Sequence, residues 1–243
     1  MKSSMKVLAI VALALSAQAC AAGGLADLTV YDRTEARRLP VYWHGGRAYV
    51  AGKPGNEYQV SVRNRAGEDL LAVLSVDGVN AITGQTADTA QSGYVLAPGG
   101  AVDVQGWRKS LSETAAFYFT SLPDSYAART GRPDNVGVIG VALFRRKQEP
   151  QPLSWIAPLE KRESSRDAAA APRAEAQLGT GHGRRETSHA RHVAFERAST
   201  APAELLTIYY DSRANLVARG ILRDPVPIAP LPRPFPGFAP DPA

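Results

Sequence analysis

Between Leu25 and Phe144 the apolar residues come in short runs broken by glycine, proline and Asx turns, and no long stretch keeps a helical period. Tyr58, Val60 and Val62 alternate with Gln59, Ser61 and Arg63, the period-two pattern of a strand with one face in a core and the other in water. Leu70 to Val76 is almost wholly apolar, which predicts a central strand covered on both faces, and Asp77-Gly78 closes it with turn chemistry. Leu28 to Tyr31 predicts a further strand, and Leu39 to Trp43, the turn His44 to Arg47 and Ala48 to Ala51 predict a hairpin. Strands are also expected at 93–96, 101–105, 115–120 and 136–144, with one helical turn over Tyr126 to Thr130 stopped by Gly131. This spacing of short strands predicts a mainly β fold, an antiparallel β-sandwich or open barrel with a few short helical turns.

The pattern changes after residue 147. Residues 148–177 are charged, contain proline and the run Ala168 to Ala171, and predict a disordered linker. Strand-like stretches return at His192 to Arg197 and Glu204 to Tyr210, followed by a short helix over Arg213 to Arg219 ending at Gly220. Residues 178–222 are too few to bury much surface alone, so they are expected to dock on the 25–147 sandwich and add strands to it. The last segment, 223–243, is proline-dense from Pro225 to Pro242, favours polyproline II over helix or central strand, and reads as a disordered spacer or as a docking peptide for an envelope protein.

The N-terminus adds a compartment. Lys2 and Lys6, the apolar run Val7 to Leu15 and the triplet Ala17-Gln18-Ala19 have the order of a cleaved secretory signal over residues 1–19. A nine-residue apolar run spans about 14 Å as a helix, half the bilayer hydrocarbon, which argues against a permanent span. Export to the periplasm or cell envelope is therefore expected. Cys20 follows the triplet and is the one cysteine of the chain, so no internal disulfide exists and the fold rests on its core. Its place resembles a bacterial lipobox, with Ala17 and Gln18 departing from the pattern; lipid at Cys20 is the one membrane contact the sequence suggests. Cleavage leaves 26 basic and 23 acidic side chains, +3, with both signs interspersed, so no nucleic-acid surface is expected.

Several stretches carry a resemblance: Ser75 to Asn80, Gln91 to Leu96, Gly106 to Lys109, Ser125 to Arg132, Asn135 to Val141, Leu178 to Arg184 and Tyr209 to Gly220. Together they resemble a family of exported bacterial proteins of unassigned activity. The resemblance implies export and a folded unit over most of residues 28–222, and it implies no substrate, cofactor or catalytic residue.

Candidate chemistry is sparse. Gly179, Gly181 and Gly183 around His182, followed by Arg184 and Arg185, leave backbone free to approach a phosphate or carboxylate. The spacing fits neither G-x-G-x-x-G nor a P-loop, which favours a tight turn packed against the sandwich over a ligand site. Trp107 and Arg108 at a strand end join Gly179, Gly181, His182 and Arg184 as binding candidates, with Asp77 and Tyr126 beside them; Asp77 reads equally as a turn former, Trp107 as core and Arg108 as the partner of a carboxylate. His182, His189 and His192 lie within eleven residues; His189 and His192 would share a face on a helix but point to opposite faces of a strand, and the surroundings read as loop and strand, so no metal and no cofactor are expected. Ser92, His182 and Asp211 supply the residue types of a hydrolase without a G-x-S-x-G elbow. A non-enzymatic binding or structural module is the expectation; the alternative is an envelope hydrolase or metal-assisted enzyme centred on His182 and the Gly179–Gly183 loop.

Overall fold

A computed structural model describes residues 24–148 and 178–223. The signal segment, Cys20, the linker apart from Gln148 and the proline-dense segment beyond Arg223 lie outside the described residues. Among the described residues, fourteen strands form a β-sandwich of two seven-stranded sheets. In chain order they are β1 (Ala26–Asp32), β2 (Arg37–Arg38), β3 (Tyr42–His44), β4 (Arg47–Gly52), β5 (Glu57–Asn64), β6 (Leu70–Val76), β7 (Val79–Asn80), β8 (Tyr94–Leu96), β9 (Ala101–Val104), β10 (Gly106–Arg108), β11 (Glu113–Ser121), β12 (Val138–Arg145), β13 (Leu178–Thr187) and β14 (Glu204–Ser212). Two short helices are α1 (Tyr126–Arg129) and α2 (Arg213–Ala218).

One sheet runs β13-β11-β5-β1-β2, with β9 and β10 bridging β5 to β11; the other runs β3-β4-β14-β12-β6, with β7 and β8 along the far side of β6. Every pairing is antiparallel except β14 with β4. The alternation in β5 works as read: Tyr58, Val60 and Val62 are buried between the sheets with Val30, Phe117, Phe119, Ile139 and Val141. The almost wholly apolar β6 also has a physical reason. Ala72, Leu74 and Val76 enter the main core, while Leu71 and Val73 pack on the opposite face with Phe144 and Phe195.

Phe195 comes from a segment where the sequence pattern predicts a strand. His192 to Arg197 instead forms a single bridge, Arg146 to Arg197, and covers the sheet as irregular chain. Side chains hold it there: the Arg197 guanidinium lies 4.1 Å from the Phe144 ring centroid and donates to the carbonyls of Thr89, Ala90 and Gln91. The residues after the linker join both sheets, β13 along β11 and β14 between β4 and β12. Helix α2 then caps β4, with Leu216 and Leu222 buried against Tyr49. No helix among the described residues is long and apolar enough to cross a membrane.

Close backbone approach is required where β9 passes into β10. A Cβ on Gly106 would stand 1.9 Å from the Ala115 carbonyl oxygen, and backbone there cannot yield without breaking the β10–β11 ladder. Gly106→Ala is therefore expected to lower the unfolding free energy by about 2–3 kcal/mol. Gly181→Ala meets the Tyr118 ring, a side chain that can swing outward, and should cost less. Urea denaturation of the two variants checks the order, and equal losses would contradict it.

Candidate functional site

The predicted glycine loop is a strand. Leu178 to Thr187 pairs with β11 along its length, so Gly179 and Gly181 answer packing, not ligand approach: a Cβ at Gly179 would strike Ser125 and Val136, and one at Gly181 would enter the Tyr118 ring. The register shifts once, where Gly183 and Arg184 oppose Ala116, and this bulge sets the angle at which His182 leaves the strand. The half-buried imidazole lies nearly parallel to the Trp107 ring, with centroids 6.3 Å apart, and 5.3 Å from the Tyr126 ring. Burial pushes its pKa below the ordinary histidine value, and the positive charges of Lys109, Arg129 and Arg185 push the same way.

Among the described residues His182 forms no hydrogen bond or ion pair with a carboxylate or a second imidazole, the partners that hydrolysis on it would use. Asp211 is engaged elsewhere, accepting from the backbone of Leu178 and Ser212 and from Asn215 Nδ2. Ser92 sits by β7, where its carbonyl accepts from Asn80. His189 and His192 are exposed, and no group of three potential metal ligands exists among the described residues. Trp107 is core, edge-on to Phe117. Arg108 donates to Ser110 O, Ser188 O and Ser188 Oγ, clipping β10 to the residue that follows β13, so its partners are serines and not the carboxylate expected. Arg184 joins Arg33, Glu57 and Glu186 in an ion cluster, with Nε 2.8 Å from Glu57 and Nη2 2.6 Å from Glu186.

Asp77 has a role the turn signal only half conveys. With Gly78 it forms a two-residue hairpin loop in which both residues have positive φ, +54° and +69°. Its buried carboxylate then accepts from Gly137 N at 2.9 Å, Thr180 N at 2.7 Å and Tyr210 Oη at 2.5 Å. Thr180 Oγ1 lies 2.6 Å from Tyr210 Oη and 2.5 Å from Tyr58 Oη. Tyr58 and Thr180 belong to one sheet and Asp77 and Tyr210 to the other, so this chain of hydroxyls crosses the core. Burial outweighs the three donors and raises the Asp77 pKa to about 6.

A surface trough lies elsewhere, about 950 Å³ along the outer edge of β1 and the first half of β14. Gly45 and Gly46, with φ of +54° and +74°, turn the β3–β4 hairpin at the point where β4 begins its pairing with Ile208. Among the described residues, Leu205 to Thr207 therefore have β12 on one side and no strand on the other, and Asp27 to Thr29 are likewise paired only with β5. Trp43 is 73% exposed, Leu205 63% and Val41 38%, all lining this trough. Asp27 is 3.4 Å from Arg65 and Asp103 accepts from Ser61, whereas Arg38 and Arg63 form no ion pair among the described residues.

No family model, curated protein or solved structure matches the chain. The trough residues escape pattern reading because Trp43 and Leu205 look like ordinary strand apolars; only the hairpin turn at Gly45-Gly46 hints that β4 stops short of its neighbour.

The buried carboxyl makes stability depend on pH. Its folded pKa lies above the unfolded value of 3.8, so the protonated form favours folding, and its contribution is full below about pH 4 and lost as pH rises to about 6. The loss amounts to about 3 kcal/mol. Asp77→Asn removes this slope while turning an amide NH2 toward the Gly137 or Thr180 N–H, a mismatch of about 1–3 kcal/mol. Denaturation of both proteins between pH 4 and 7 should show the advantage of the parent shrinking as pH rises; a difference constant with pH would refute the assignment.

Proposed function

We propose that this chain is an exported, non-enzymatic binding module of the cell envelope, and that the trough between β1 and β14 takes an extended, acidic and apolar peptide segment of an envelope partner. The observation that carries the reading is the placement of Trp43 and Leu205, both largely exposed, beside two strand edges with unpaired backbone. Edge addition supplies main-chain hydrogen bonds, and alternate side chains of the added strand would meet the apolar pair. Arg38 and Arg63 favour acidic residues at the other positions.

The chain ends support the same surface. Leu25 N donates to Glu204 Oε2 and Ala26 lines the trough, so the segment from Cys20 joins β1 at one end of it. Leu222, next to the start of the proline-dense segment, packs in the cluster that includes Tyr209, a wall of the trough. In this proposal the signal directs export, lipid on Cys20 holds the module at a membrane, and Pro225 to Pro242 contacts the same partner, raising avidity without a new contact in the trough.

An eight-residue synthetic peptide alternating valine and glutamate tests the reading against the mature chain. It should bind, with Trp43→Ala and Leu205→Asp each weakening binding at least about tenfold and leaving the thermal midpoint unchanged. Methylating the alternate backbone nitrogens should abolish binding. Equal binding of a valine–lysine peptide, or unchanged affinity in both variants, would defeat the proposal.

A further inference from the structure

The proline-dense segment leaves the described fold beside the trough. Leu222 is buried in the cluster of Tyr49, which also holds Tyr42 and Tyr209. Tyr209 lines the trough and Tyr42 directly precedes the exposed Trp43, so Arg223, the last described residue, stands at the Trp43 end. Beyond it the sequence has a period of its own. A polyproline II chain has three residues per turn, which puts Pro225, Ile228, Leu231 and Pro234 on one ridge and Val226, Ala229, Pro232, Phe235 and Phe238 on the next. Both ridges are apolar throughout, while Arg233 stands on the third. Two such ridges would expose area that water disfavours, as Trp43 and Leu205 already do in the trough. The lengths agree as well. The β1 wall from Ala26 to Tyr31 is about 17 Å long at about 3.4 Å per residue, and Val226 to Leu231 advances about 16 Å at about 3.1 Å per residue.

We infer that the segment from Pro225 to Phe238 occupies the trough of its own chain when no partner is bound, with Ile228 towards Trp43, Leu231 towards Leu205, and Arg233 turned to water away from Arg38 and Arg63. Attachment at Arg223 makes the association intramolecular, with an effective concentration on the order of millimolar. A stiff polyproline II chain also loses little conformational entropy on docking. Its prolines have no N–H, so the tail fills the trough with side chains but offers the free edges of β1 and β14 no ladder donors at those positions. A partner's strand supplies them, and that difference lets it displace the tail. Tail and partner thus compete for one surface, and the displaced tail is then free to contact the partner. Regulation in this form rests on the trough being the partner site; docking of the tail does not.

The test follows the Trp43 indole N–H of the mature chain by NMR, assigned from its loss in Trp43→Phe. The double variant Ile228→Ser/Leu231→Ser, confined to residues outside the described fold, should move the Trp43 signal and leave that of the buried Trp107 in place. A synthetic peptide of residues 225–238 should return the variant's signal to the parent position, and the parent's signal should not depend on protein concentration. The valine–glutamate peptide should bind the double variant about tenfold more tightly than the parent, the ratio for a tail with a dissociation constant of about 0.1 mM at about 1 mM effective concentration. An unmoved Trp43 signal in the double variant, a parent signal that shifts with protein concentration, or equal peptide affinity in parent and variant would overturn the inference. A Trp43 shift with no binding of the valine–glutamate peptide to either protein would uphold docking of the tail and defeat the partner reading alone.

Discussion

The carboxylate of Asp77 holds the two sheets in one relative position. Its oxygens accept from the backbone of Thr180 in one sheet, from the Tyr210 hydroxyl in the other and from Gly137 at the entry to β12. Apolar packing alone tolerates small slides between sheets, because the hydrophobic effect is proportional to area and indifferent to direction. A buried carboxyl with three donors, continued through Thr180 to Tyr58, permits one arrangement. The five residues are far apart in the chain, so the network also joins the residues on either side of the linker.

Both candidate sites depend on that alignment. Thr180 sits two residues before His182 in β13, and the donor from its N–H fixes the strand just ahead of the bulge. Tyr210 sits in β14 three residues beyond Thr207, the last residue of the free edge, so the same network fixes how that edge faces β1. The sites lie at opposite margins of the sheet that runs from β13 to β1. Burying an ionisable group raises its pKa to about 6, so ionisation strengthens the three hydrogen bonds but costs folding stability through desolvation. What the fold gains is a unique register; what it loses is stability at neutral pH.

Most of the fold was legible because its signals are local. Alternation in β5, the nearly continuous apolar run of β6 and the Asp-Gly turn after it all correspond to elements of the sandwich. Two segments misled for reasons that are not local. Gly179 to Gly183 has the composition of a loop, but those glycines are demanded by Ser125, Val136 and Tyr118, which reach the strand from elsewhere in the chain. His192 to Arg197 has the composition of a strand, yet the Arg197 guanidinium binds three loop carbonyls and leaves the segment no ladder to join. The histidine surroundings were partly legible, since His182, Trp107 and Tyr126 were all candidates, but their convergence depends on β10, α1 and β13 meeting at one margin. Trp43 and Leu205 carried no signal, because exposure is a property of the assembled edge.

A free strand edge is a hazard as well as an opportunity. Unpaired N–H and C=O groups on β1 and β14 would recruit copies of the chain unless something limits access. Folds blunt such edges with charge, and Asp27, Arg38 and Arg63 stand at this one. Yet a purely defensive edge gains nothing from a tryptophan and a leucine held in water beside it, since each exposes apolar area that folding ordinarily removes. Arg38 and Arg63, which form no ion pair among the described residues, combined with apolar residues that reward burial, favour a partner that brings acidic groups to this edge. That combination is the physical argument for an extended acidic and apolar ligand in the trough over an inert edge.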